Sequence, residues 1–135
     1  MITITYQLEN DLAPEAFRSL LVASTLAARR PVEDIDRITA MCKNADIIVT
    51  ARDDGKLVGV ARAISDFAYC TYLSDLAVAQ TYQRHGIGRT LVQKVADATP
   101  LATLILLAAP AAIDYYPKIG MTRHDAAFVK RPDAS

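Results

Sequence analysis

Gln83-Arg84-His85-Gly86-Ile87-Gly88-Arg89 stands between an apolar run that closes at Val78 and a helical pattern over Gly88 to Asp97. Glycines in such a place let the backbone come close to a ligand. The amides around residues 84 to 89, at the positive end of a helix, can then hold a pyrophosphate. Other glycine-rich loops fail by residue. A P-loop requires Gly-Lys-Ser/Thr, which is absent. A dinucleotide fingerprint requires Gly or Ala at position 91, where Leu91 stands, inside a short strand-helix-strand unit rather than after a hairpin meander. Taken alone, the loop reads more readily as a turn than as a phosphate site.

The elements on either side supply the context. Upstream, Tyr69 to Val78 reads as a strand, preceded by Leu57 to Ile64, which is apolar almost throughout and therefore covered on both faces. Asp54-Gly55 is a type I′ hairpin signal joining that strand to the β-branched run Ala45 to Ala51. Earlier still, residues 1–9 alternate apolar and polar and read as a strand. A helix follows from Leu12-Ala13-Pro14-Glu15, with Asn10 or Asp11 as cap and Phe17, Leu20, Leu21 and Ser24 at helical spacing. A second helix is expected from Pro31, with Val32, Ile35, Ile38, Met41 and Cys42 on its inner stripe. Downstream of the loop, the helix turns Leu91, Val92 and Val95 inward and stops at Pro100. Leu101 to Ala109 reads as a buried strand, Ala111 to Ile119 as a short helix and Met121 to Val129 as a last strand. The order β-α-α-β-β-β-α-β-α-β is that of an α/β domain with a mixed sheet.

Composition sets the outer bounds. A chain of 135 residues, 52% hydrophobic and 22% charged, has the size of one domain and the makeup of a folded one. Fifteen basic residues balance fifteen acidic ones, so no positive field favours nucleic acid or an anionic membrane surface. The most apolar run, 101–109, is far shorter than the roughly 20 residues of a membrane helix, and the first residues lack a signal-peptide pattern. Cys42 and Cys70 form no metal or CxxC spacing and are expected as small buried hydrophobes. A cytoplasmic location and the absence of a metal are the corresponding expectations.

Two stretches decide between a turn and a ligand site. Tyr72-Leu73-Ser74-Asp75-Leu76-Ala77-Val78, followed by Tyr82 to Arg89, resembles the GNAT N-acetyltransferase superfamily, whose signature is Gln/Arg-x-x-Gly-x-Gly/Ala. Downstream, Ala112-Ile113-Asp114-Tyr115-Tyr116-Pro117-Lys118-Ile119-Gly120-Met121 is similar to that family's Ala-x-x-Phe/Leu-Tyr-x-Lys-x-Gly-Phe. The resemblance covers nearly the whole chain, with the markers in the family's order. It implies one GNAT domain over residues 1–135, with 130–135 a flexible tail. It further implies a mostly antiparallel sheet flanked by helices, whose splayed parallel strands near Val78 and Ala109 form an acetyl-CoA cleft.

What the resemblance implies for single residues follows the two markers. Leu76, Ala77 and Val78 match the strand that lends backbone groups to the pantetheine arm and an amide to the thioester carbonyl. Gln83, Arg84, His85, Gly86, Ile87, Gly88, Arg89 and Thr90 match the pyrophosphate loop and helix start, with His85 at a variable, surface position. Tyr116 stands where the family's tyrosine general acid stands, and Tyr115 where its packing aromatic does. Acetyl-CoA-dependent transfer to a primary amine, directly in a ternary complex, is the expected activity. Alternatives are a protein N-terminal or lysine acetyltransferase, or a CoA-binding regulatory module without strong catalysis. Polyamine-type relatives carry Tyr-Leu-Glu-Asp where this chain has Tyr72-Leu73-Ser74-Asp75, so Ser74 removes the usual base. Asp75 then remains, either as the carboxylate that draws an ammonium or as a hydrogen-bonded structural group. Pro110-Ala111 stands where many relatives have an Asn. Tyr69, Tyr72, Asp75 and His124 are candidates to line the acceptor pocket, and a homodimer is compatible with the neutral surface.

Overall fold

The computed structural model describes residues 2–133, built on a five-stranded sheet of order β1-β2-β3-β4-β5. The strands are β1 (Ile4–Leu8), β2 (Ile47–Asp53), β3 (Lys56–Ser65), β4 (Cys70–Val78) and β5 (Thr103–Ile105). The first four pair antiparallel, and β4 with β5 is parallel. The β2–β3 turn bears out the hairpin signal: Asp54 has φ 50° and Gly55 φ 86°, the two left-handed positions of a type I′ turn.

Helices α1 (Pro14–Ala23) and α2 (Ile35–Lys43) cover one face, burying Phe17, Leu20, Leu21, Ile38 and Cys42 against Ile48, Val60 and Ala77. Helix α3 (Ile87–Ala98) covers the other, with Ile87, Leu91 and Val95 on Val49, Ala51, Val58 and Ala61. Its approach is close because β3 offers Gly59, where a Cβ would stand 3.1 Å from side-chain atoms of both Ile87 and Leu91. Both faces of β3 are thus covered from Val58 to Ala63, but the expected coverage fails at Ile64, which is 42% exposed.

Several expected boundaries move. Helix α2 begins at Ile35 rather than Pro31, because Asp34 caps it by accepting the Arg37 N–H at 3.2 Å; Val32 packs from the preceding loop. Helix α1 has no side-chain cap, since Asn10 instead bridges to β2, donating to the Asp46 carbonyl and accepting the Ile48 N–H. The buried strand expected over 101–109 shortens to β5 and is not buried, with Ile105 55% exposed and Leu101 and Leu107 exposed on either side. The helix expected over 111–119 divides into a 3-10 turn (Pro110–Ala112) and α4 (Tyr115–Lys118). The last strand over 121–129 does not form: those residues have no strand pairing, and Phe128 is 93% exposed. Cys42 is buried as expected, but Cys70 is exposed near the start of β4. The tail over 130–135 extends beyond the described residues; 130–133 are irregular and exposed.

Candidate active site

β4 is the organising strand. Its parallel pairing with β5 runs only from Cys70↔Thr103 to Tyr72↔Ile105, so Leu73 to Val78 face no strand on that side. The chain after Ile105 leaves the sheet, which opens a wedge between the two strands. At the root of this opening is a β-bulge. The register passes from Arg62↔Asp75 to Ala63↔Leu73, and Ser74 is the extra residue. A bulge inverts the alternation of everything beyond it. Leu73 packs on the α3 side, whereas after Ser74 it is Leu76 and Val78 that do so, and Asp75 and Ala77 turn toward α1 and α2.

The same inversion selects the backbone groups that face the wedge. The Ala79 N–H donates across to the Val58 carbonyl on β3 at 2.9 Å. Alternate residues point their amides to opposite edges of a strand, so Ala77 also faces β3 while Leu76 and Val78 face the wedge. The Val78 carbonyl is taken by the Gln83 side-chain amide, which donates to it at 3.0 Å. Among the described residues the Leu76 amide and carbonyl and the Val78 N–H face no strand partner, and can meet an amide-bearing arm and a thioester oxygen.

Below the wedge, a 3-10 turn (Gln80–Tyr82) leads into the glycine loop. Arg84 (φ 69°) and Gly86 (φ 77°) are both left-handed, and α3 starts at Ile87 with no side-chain cap and no acid in its first turn. Its first amides lack intrahelical partners and carry the positive end of the helix dipole, an anion-holding arrangement. Thr90 closes the turn on the Gly86 carbonyl through both its N–H and its hydroxyl, at 3.1 Å each. Gln83, Arg84, His85, Gly86 and Arg89 are exposed, whereas Ile87 is buried in the core beneath them. Tyr82 anchors the loop to the β2–β3 hairpin by donating to Asp53 at 2.6 Å, which pushes its own hydroxyl pKa up.

The two tyrosines of α4 meet edge to face, ring centroids 5.2 Å apart. Burial pushes the Tyr116 hydroxyl up from its usual 10, and the neighbouring Tyr115 adds to this. Burial likewise raises Tyr115, opposed by the Arg89 charge. Both are therefore protonated donors at neutral pH. Tyr115 brings a polar end to the loop besides its ring: a Cβ on Gly88 would lie 2.8 Å from its hydroxyl oxygen, so that oxygen sits at the start of α3. The motif position marked Tyr115 as an aromatic and held no signal of this contact, which depends on how α4 returns across the loop. Cys42 has a thiol raised by burial, the opposite of an activated nucleophile.

Asp75 occupies a different setting from the one an ammonium-drawing carboxylate needs. It is 1% exposed; one carboxylate oxygen accepts from Arg30 Nε and the other from Arg62 Nε. Arg30 also donates to the Ser74 carbonyl at 2.7 Å, and Arg62 to the Ser74 hydroxyl at 2.9 Å. Both carboxylate oxygens are committed, and the local charge is net positive. Of the two alternatives left open for Asp75, this geometry fits the hydrogen-bonded structural group, which would clamp the bulge from beneath, rather than the carboxylate that draws an ammonium. Of the other pocket candidates, Tyr69 and Tyr72 are exposed on the β4 side, while His124 accepts from the Ala126 N–H in the exposed segment after α4.

A sheet opened between two parallel strands above an uncapped helix start is the architecture of the acetyltransferase fold. The chain belongs to the Acetyltransferase (GNAT) family, whose model matches residues 6–121. An uncharacterized N-acetyltransferase, ycf52, of Pyropia yezoensis is 30% identical over 113 residues, covering 78% of this chain and 59% of that protein. The chain thus spans less than two thirds of that relative's length. Among solved structures, an aminoglycoside N-acetyltransferase in complex with CoA superimposes with a TM-score of 0.76 at 15% identity, covering 99% of this chain and 97% of that one. A GNAT-family acetyltransferase from Streptococcus pneumoniae gives 0.72 at 19% identity, covering 96% of this chain and all of that one.

Proposed function

We propose that residues 1–135 act as one catalytic domain that transfers an acetyl group from acetyl-CoA to a primary amine, directly and without an acyl-enzyme. The observation that carries this reading is the unpaired β4 edge from Leu73 to Val78 beside an uncapped α3 start. The backbone at Leu76 and Val78 would hold the pantetheine arm, and the amides of Gly86, Ile87, Gly88 and Arg89 its phosphates, with Arg84 and Arg89 adding charge. A wedge amide would polarise the thioester carbonyl. The neutral amine nitrogen bonds to the carbonyl carbon and loses a proton to water, while the carbon–sulfur bond breaks and the thiolate takes a proton from Tyr116. The raised Tyr116 hydroxyl keeps that proton available at neutral pH. Tyr115, at Gly88, is proposed to donate to the phosphate end of the cosubstrate rather than to the sulfur.

A small-molecule amine is the acceptor proposed, as it is for the aminoglycoside N-acetyltransferases that share this fold. The free thiols suit a reducing compartment such as the cytoplasm, and no helix among the described residues is long and apolar enough to cross a membrane. Titration calorimetry with acetyl-CoA, followed by thiol release across a panel of amines, tests the reading. Binding together with amine-dependent release is expected. Binding with no release on any amine would leave a CoA-binding module, and no binding would overturn the assignment of the wedge.

A further inference from the structure

The face of the sheet that α1 and α2 cover changes character along β3 and β4. Under the helices it is apolar, at Val60 and Ala77. One step along come Arg62 and Asp75, with Arg30 reaching in from the loop before α2. Beyond the Ser74 bulge, Ile64 pairs with Tyr72 and Tyr72 with Ile105, which places three side chains in one row on one face. No helix covers that row: Ile64 is 42% exposed, Tyr72 37% and Ile105 55%. Along β3 the row stands two residues, about 7 Å of backbone, beyond Arg62, and the unpaired β4 edge begins beside it.

The charge at this place is unbalanced. Among the described residues, Asp75 is the only carboxylate within ion-pair distance of Arg30 or Arg62, and both share it. Arg30 uses its Nε on Asp75, one Nη on the Ser74 carbonyl and the other on the Arg29 carbonyl. A guanidinium fork has five N–H donors, of which these bonds use three, and the Arg30 side chain is 21% exposed. A cation with free donors therefore stands at one end of an open apolar row, beside backbone groups suited to a thioester.

We infer that the acceptor is an amine that also carries a carboxylate and an apolar body, of the kind an aromatic or aliphatic α-amino acid presents. Its carboxylate pairs with Arg30, its apolar part lies on Ile64, Tyr72 and Ile105, and its amine is left toward the β4 edge. This rests on the acetyl-transfer reading, and the ordering of charge before apolar surface gives it a direct test.

The test compares ligands that differ only in the carboxylate. N-acetylphenylalanine and N-acetylphenylalaninamide, as product-like ligands, are titrated by NMR into wild type and into folded Arg30→Gln and Arg30→Lys variants. Acetyl transfer is measured in parallel on phenylalanine, phenylalaninamide and phenethylamine. The carboxylate forms are expected to bind, and to react by kcat/KM, about tenfold or more better than the carboxamides in wild type. That ratio should collapse toward one in Arg30→Gln and partly survive in Arg30→Lys. A residue with only a structural role would lower both ligands alike and leave the ratio unchanged. Tyr72→Ala should weaken both ligands while keeping their ratio. Equal binding of the two forms, a ratio that persists in Arg30→Gln, or no binding of either would overturn the inference; if Arg30→Gln does not fold, the wild-type ratio and Arg30→Lys decide. Calorimetry with acetyl-CoA reports separately: its failure would remove the acetyl-transfer reading while leaving an Arg30-dependent carboxylate site standing.

Discussion

Asp75→Asn keeps the size and shape of the side chain and removes its charge. In the wild-type protein that charge faces Arg62, whose side chain is 8% exposed, and Arg30, at 21%. Arg30 can turn outward and rehydrate. Arg62 cannot, because it lies under α2, where it also donates to the Met41 carbonyl at 3.3 Å and to Ser74. The loss is therefore mainly that of one buried guanidinium deprived of its counter-charge. Breaking a buried pair from one side costs about 3–5 kcal/mol, and the escape of Arg30 places this case at the lower end, ~3 kcal/mol. For a chain of this length that corresponds to a fall in Tm on the order of 10 °C. Urea unfolding followed by circular dichroism measures it directly. Asp75→Asn combined with Arg62→Met should recover part of the loss, because an apolar side chain needs no counter-charge there. If Asp75 served to attract an ammonium instead, Asp75→Asn would leave stability within about 0.5 kcal/mol and raise the acceptor KM. A stability change that small would refute the clamp.

Gly86→Ala meets no atom within 4 Å but must hold φ near 77°, so it should cost about 1–2 kcal/mol in unfolding and weaken acetyl-CoA binding in calorimetry. Gly88→Ala instead drives a Cβ to 2.8 Å from the Tyr115 hydroxyl, so Gly88→Ala with Tyr115→Phe should be more stable than Gly88→Ala alone. Tyr116→Phe should lower kcat by ~10²–10⁴ with little change in the acetyl-CoA KM, whereas Tyr115→Phe should act chiefly on that KM; the reverse pattern in steady-state kinetics would exchange their roles. Glu9, held by the Arg52 guanidinium at 2.6 Å with help from Gln7 and Thr50, has its pKa lowered from 4.5 to about 2. Its stabilisation is therefore complete above pH 4.5 and lost as pH falls toward 2. Unfolding free energies of wild type and Glu9→Gln from urea titrations should differ by about 1–2 kcal/mol at pH 6 after allowance for solvent screening, and converge near pH 2.

Much of this molecule is written in local chemistry. The Asp54-Gly55 turn needs only two residues that tolerate positive φ, and the α3 stripe of Leu91, Val92 and Val95 needs only helical spacing, so both were legible without partners. The glycine loop was legible for the same reason: Gly86 takes its left-handed φ in a seven-residue stretch that carries its own signal. Strands that depend on a neighbour were not legible. Residues 106–109 are apolar enough for a strand, yet β5 ends at Ile105 because the edge it would have to follow diverges. Residues 121–129 find no strand partner at all.

The roles of Ser74 and Asp75 show where the division lies. The sequence by itself determined the order of elements, the loop and helix start that can hold phosphates, and the family, because each rests on spacing within a short segment. The tertiary structure alone decided that Ser74 is an extra residue opposite β3, that Leu76 and Val78 therefore face the wedge, and that Asp75 points away from it into two guanidiniums. A bulge exists only as a mismatch between two strands; Arg62 meets Asp75 only across the β3–β4 pairing, and Arg30 comes from 45 residues before it. Their charges meet only after the sheet and the loop before α2 have packed, so no single segment could announce that the carboxylate was already taken.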